Sequence, residues 1–259
     1  MTRIKNWLLT GDTHGKVADR LANIPDTYKP EETAIIILGD SGFNFWLNNT
    51  DRYTKKAASK FGYTIYCVRG NHEERPSNIE GMELIYDNNV KNMVWTENEF
   101  PLIRYFCEGA TYFINGYTAL PIGGAYSVDK EYRLARAGLT EETNDPKKSG
   151  WFQSEQLTAK EMALIDRATA NQKYDFVFTH TCPYSWEPCD LFLSFIDQSK
   201  VDNTMEKWLD ELKESFDWGV WCFGHFHADR TERECVEQFY YRIENIEDIW
   251  RKWNVGSAD

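Results

Sequence analysis

The chain has 259 residues, 42% of them hydrophobic, and carries a formal net charge of −12 with a sequence pI of about 5.0. That balance excludes the broad basic surface needed for duplex nucleic acid or an anionic membrane, and no run reaches the roughly 18 apolar residues that span a bilayer. With no secretory pattern ahead of the first strand and six scattered cysteines, a soluble, cytoplasmic protein with reduced thiols is expected.

Residues 5–10 read as a short strand that runs into Gly11-Asp12-Thr13-His14-Gly15. Val17, Ala18, Leu21 and Ile24 then fall at helical spacing over residues 16–24, closed off by Pro25 and Pro30. Residues 34–38 form a continuous apolar run that stops at Gly39-Asp40. A strand without alternation is covered on both faces, as at the centre of an α/β sheet, and it presents Asp40 beyond its carboxyl end, where ligands bind in such sheets. In the following loop, Phe43, Phe45 and Trp46 either wall a cleft, open to a stacking base or aryl group, or pack the loop down.

A helix is expected over residues 51–61, with Gly62 as its stop, and then a strand over 63–68 that leads through Arg69 into Gly70-Asn71-His72-Glu73. Short β-branched and aromatic runs follow at 92–96, 102–106, 111–115 and 117–121, with a hairpin signal at Asn115-Gly116. This meander predicts a second sheet stacked on the first. Residues 127–150 are charged and weakly periodic, an insertion beside the cleft. Its Lys130, Arg133, Arg136, Lys147 and Lys148 are mostly solvated, though any of them is placed to reach a phosphate.

Helices are expected over 154–168, with Ser154 as N-cap, and over 202–216. Between and after them, strands at 175–179 and 219–223 end at His180 and at Gly224-His225-Phe226-His227, and residues 236–246 supply one or two last strands. Cys182 and Cys189 lack a usual zinc spacing and are assigned no metal. No linker or repeat divides the chain, so one domain over residues 1–259 is expected, with its insertion near 127–150.

All five histidines, at positions 14, 72, 180, 225 and 227, sit in strand-end clusters with Asp, Asn or Gly. Structural histidines have no reason to avoid every helix and every surface loop. Imidazoles with a shared carboxylate and an amide oxygen make mixed N/O sites for two divalent ions. These suit Mn, Fe, Zn or Co better than Mg, with Mn the first to try in vitro.

The ordered set Asp12-x-His14, Gly39-Asp40, Gly70-Asn71-His72-Glu73, His180 and Gly224-His225-x-His227 resembles the pattern of the calcineurin-like metallophosphoesterases. The resemblance runs from Asp12 to His227 and implies a four-layer α/β sandwich of two mixed β-sheets flanked by α-helices. It implies that Asp12, His14 and His227 bind one ion, that Asn71, His180 and His225 bind the other, and that Asp40 bridges them. His72 would face the substrate without ligating, as general acid or to steady the transition state, with Asn71 also turned toward the substrate. The implied activity is hydrolysis of phosphate esters by a hydroxide activated between two ions.

Residues 69–75 also resemble the Ser/Thr protein phosphatases, in which the trailing arginine grips phosphate. That makes Arg75 a candidate clamp, with an ordinary surface arginine as the alternative. The same subfamily places a further Asp and Arg after its Gly-Asp, where this chain has Phe43 and Asn44, so the group that orients His72 is left open. Glu73 either orients its neighbours or is solvated. The reading leans to phosphodiester or nucleotide-type substrates, including nucleic acid ends; a phosphoprotein phosphatase and a non-catalytic metal-binding scaffold are the alternatives.

Overall fold

The computed structural model describes residues 3–194 and 196–254. Its first half runs β1 (Asn6–Thr10), α1 (Val17–Leu21), β2 (Thr33–Leu38), α2 (Asn49–Ser59), β3 (Thr64–Val68), β4 (Met82–Asp87), β5 (Asn92–Glu97), β6 (Ile103–Phe106), β7 (Tyr112–Ile114) and β8 (Tyr117–Ile122). Two short helices follow, α3 (Lys130–Ala137) and α4 (Pro146–Ser149), and then α5 (Ala159–Thr169), β9 (Lys173–Thr179), α6 (Thr204–Leu212) and β10 (Asp217–Phe223). The described chain closes with β11 (Arg230–Arg233), β12 (Val236–Gln238), β13 (Ile243–Asn245) and α7 (Ile246–Trp253).

These elements build two mixed sheets with strand orders β13-β1-β2-β3-β6-β5-β4 and β11-β12-β10-β9-β8-β7. In each, four adjacent strands are parallel and the outer ones are antiparallel. β2 is buried at every position. Ile36 and Leu38 meet Phe176, Phe178, Val220 and Cys222 of the second sheet, whereas Ile35 and Ile37 pack with Val17, Leu21 and Ala58 of α1 and α2. The run lacks polar positions because neither face meets water. On the far side, Val177, Trp221 and Phe223 pack beneath Met162 and Ile165 of α5 and Met205, Leu209 and Leu212 of α6. The result is the four-layer order helices, sheet, sheet, helices.

Several expectations are corrected. The meander does not form a second sheet of its own: β6 pairs parallel to β3, and β5 and β4 extend the first sheet outward, leaving only β7 and β8 to the second. β6 is buried throughout and fits inside a sheet, while β4 is largely exposed and suits an edge. Thr158, not Ser154, caps α5, through a reciprocal capping box with Glu161. The charged stretch 127–150 is partly helical; residues 236–246 do supply two strands, β12 and β13, and after them comes a helix the sequence reading did not include, α7, whose Ile246 and Ile249 enter the inter-sheet core.

Candidate metal centre

Five carboxyl-terminal strand ends, three from the first sheet and two from the second, converge on one edge of the sandwich. β1 delivers Asp12 and His14, β2 delivers Asp40, β3 delivers Asn71 and His72, β9 delivers His180, and β10 delivers His225 and His227. The turns are tied to one another. The N–H of His14 donates to Asp40 O at 2.8 Å, that of Gly224 to His180 O at 3.0 Å, and His180 Nδ1 to Leu38 O at 2.8 Å, which crosses from one sheet to the other.

His14, Asp40, His225 and His227 all hold left-handed backbone, with φ of 44°, 47°, 66° and 53°. Such residues cost about 1–3 kcal/mol each and persist only where the surroundings over-determine them. At Gly70 and Gly224 a Cβ would run into Asp40 Oδ1 and Asp12 Oδ1 respectively, so only glycine lets the strand ends approach the carboxylates this closely.

Asp12 Oδ1 accepts the His225 N–H at 2.9 Å, while its buried Oδ2 is left without a well-aligned hydrogen bond among the described residues. That oxygen lies 3.3 Å from His227 Nε2 and 3.7 Å from His14 Nε2. Asp40 Oδ1 accepts the His72 N–H at 2.9 Å. Its Oδ2 stands 3.7 Å from His180 Nε2, 3.8 Å from His14 Nδ1 and 4.0 Å from His72 Nε2. Burial pushes both carboxyls upward, but the surrounding imidazoles outweigh it and hold both below the ordinary range. Burial and the neighbouring His180 push His225 down to about 3.

This donor set fits divalent cations. Asp12, His14 and His227 form one group whose ligand atoms lie within 4.8 Å of one another, and Asp12, Asp40 and His180 form a second. His14 Nε2 and His227 Nε2 are 2.9 Å apart, and His180 Nε2 is 2.8 Å from Asn71 Oδ1. His180 Nδ1 donates to Leu38 O, which leaves Nε2 to face the Asn71 carbonyl oxygen, an imidazole nitrogen and an amide oxygen that suit one cation. The second group brings in Asp12, where the sequence pattern implied His225. His225 stands beside His180 with ring centroids 4.9 Å apart, and its backbone N–H braces Asp12.

His72 faces the centre, its ring lowered by burial against the opposing pull of Asp40, and Arg133 adds to the lowering. Its Nδ1 is buried and has no hydrogen bond among the described residues. Glu73 accepts from Gly42 N at 2.8 Å and Gly70 N at 3.2 Å, as well as from the Ser41 hydroxyl, and so staples the Asp40 loop to the Asn71 loop.

Two cavities meet at Asp40, His72, Asp129 and His227. One, of about 400 Å³, is walled by Phe45, Trp46, Thr54 and Arg133; the other, of about 480 Å³, by Tyr126, Leu191, Phe192, Leu193 and Phe226. The aromatic loop therefore divides, because Phe43 is wholly buried in the core beside Ala58.

Arg75 does not reach the centre. Its guanidinium binds Glu161 at 2.5 Å, Gln156 O at 2.8 Å and Ser154 O at 3.1 Å, and it borders a separate pocket. The arginine that does border the site is Arg133, held by Asp129 at 2.7 Å. Sequence reasoning singled out neither Ser127 and Glu155, which support Asn71, nor Tyr240, whose ring stacks on His227 at 4.7 Å. These residues lie outside any motif, and no local signal marks them.

A sequence model of the family described as calcineurin-like phosphoesterase matches residues 6–229. No curated protein and no solved structure matches the chain.

Proposed function

Because the chain belongs to the calcineurin-like phosphoesterase family, we propose that it hydrolyses phosphate esters at a centre of two divalent ions and prefers diesters of the nucleotide type. One observation carries this reading: Asp40 Oδ2 lies within 4.0 Å of His14, His72 and His180, residues drawn from three separate strand ends. Asp12, His14 and His227 would hold one ion, Asn71, His180 and His225 the other, and Asp40 both. When bound, such a pair supplies Lewis acidity toward the phosphoryl oxygens and makes water acidic enough to attack near neutral pH.

The chain's own residues do the rest. His72, whose Nε2 lies 4.0 Å from Asp40 Oδ2, gives a proton to the leaving oxygen as the P–O bond breaks. Water adds to phosphorus, and a diester yields a monoester and an alcohol. Arg133 supplies a cation for a non-bridging oxygen, in the role first considered for Arg75. The lean to diesters is supported by the two cavities that share the centre, one for each alcohol limb; a monoester occupies only one. Phe45 and Trp46 offer the stacking face that a base or aryl limb uses. The phosphoprotein phosphatase reading loses support with Arg75 bound to Glu161.

The test compares bis(p-nitrophenyl) phosphate with p-nitrophenyl phosphate on Mn²⁺-loaded protein, with Asp40→Asn as the blank. Faster diester turnover is expected. Faster monoester turnover would overturn the diester preference, and silence on both with ions bound would favour the scaffold alternative.

A further inference from the structure

The Asn71 amide is held in one of its two orientations by partners on both ends. Its Nδ2 donates to Ser127 Oγ at 2.9 Å and lies 3.3 Å from His72 Nε2, and its Oδ1 faces His180 Nε2 at 2.8 Å. His180 Nδ1 donates to Leu38 O, so it is Nε2 that meets the Asn71 carbonyl oxygen. Turned over, the amide would set its NH₂ against His180 Nε2 and offer a cation there no lone pair.

Ser127 and Glu155 oppose the turn. The Ser127 hydroxyl donates its single proton to Glu155 Oε2 at 2.5 Å, and the Ser127 N–H donates to Glu155 Oε1 at 3.1 Å. An ionised carboxylate only accepts, so the hydroxyl keeps only lone pairs for Asn71 and can receive an N–H but not face a carbonyl. Arg69 Nη1 braces the assembly, donating to Glu155 O at 2.8 Å and Gly70 O at 3.3 Å. Asn71, Ser127 and Glu155 are 1%, 2% and 2% exposed, so water does not compete for these bonds.

We propose that Ser127 and Glu155 are positioning residues that fix the carbonyl end of Asn71 toward His180 and so hold the second cation position open. This rests on the reading of Asn71 and His180 as ligands of one ion. The pair does not ligate; it sets the polarity of a ligand that could otherwise point either way.

Calorimetric titration of the metal-free full chain with Mn²⁺ tests it. Burial pushes the Glu155 carboxyl up to about 7, so the titration is run at pH 8, where the group is ionised. The parent is expected to show two binding steps. Ser127→Ala removes the acceptor, and Glu155→Gln turns an NH₂ toward Oγ, freeing the hydroxyl proton for Asn71. Each is expected to weaken one step by about 10–100-fold and spare the other. Ser127→Thr keeps the hydroxyl and is expected to bind as the parent does. Melting of each metal-free variant identifies any that fail to fold, and the near-isosteric Glu155→Gln keeps the test open if Ser127→Ala does. Folded variants that bind both ions as tightly as the parent, or lose both steps together, overturn the relay. A parent that binds fewer than two ions overturns the two-ion reading itself, and the relay with it.

Discussion

Asp40 holds its charge by local arrangement. It is 2% exposed, yet three imidazoles and the His72 N–H keep it ionised against the pull of burial. Asp40→Asn keeps the shape and removes the charge that both ligand groups face, so it is expected to lose bound metal and turnover together; metal analysis showing two ions with full activity would contradict the bridging role. His72→Ala should behave differently, retaining its ions and losing about 10²–10⁴ in rate, the range of a lost general acid. At this scale the sequence was informative where a residue's partners lie in the same motif. Asp40 could be read from the apolar run that ends at it, and the histidines from their glycine neighbours. Arg75 could not be read, because its partner Glu161 stands 86 positions away on another element. Ser127 and Glu155, 28 positions apart, are likewise joined only by folding.

Elements were legible where burial imposes a pattern. β2 shows an unbroken apolar run because both faces are covered. α7 was not read because it begins where the alternating stretch 236–246 ends, although Asn245 caps it and Ile246, Ile249, Trp250 and Trp253 share the inward side. The strands β5 and β6 were seen as strands but put in the wrong sheet, since a strand's pattern reports its burial and not the neighbour it pairs with. α6 carries a testable anomaly. Burial pushes the Glu206 carboxyl from its ordinary value of 4.5 up to about 7. A folded-state pKa raised above the unfolded one contributes stability that is complete below about pH 4.5 and is lost as pH rises through 7. The difference is on the order of 3 kcal/mol. Glu206→Gln, which cannot ionise, is therefore expected to gain melting temperature over the parent at pH 8 and little at pH 5; a difference that does not vary with pH would contradict this.

Across the whole molecule, the two sheets contribute opposite walls of one site. β1, β2 and β3 bring Asp12, His14, Asp40 and Asn71 from the first sheet, and β9 and β10 bring His180, His225 and His227 from the second. Cations bound between them tie the layers together, so divalent metal is expected to raise the melting temperature, by about 2.7 kcal/mol of stability at a hundredfold excess over Kd. The net charge of −12 leaves phosphate to be met locally, as at the proposed metal centre and Arg133. No described helix is long and apolar enough to cross a membrane. The two-ion phosphoesterase account is tested most directly by following bis(p-nitrophenyl) phosphate hydrolysis while chelator-stripped protein is titrated with Mn²⁺. The account predicts no turnover without metal and full turnover only once the second ion is bound; turnover that persists in the stripped protein would contradict it.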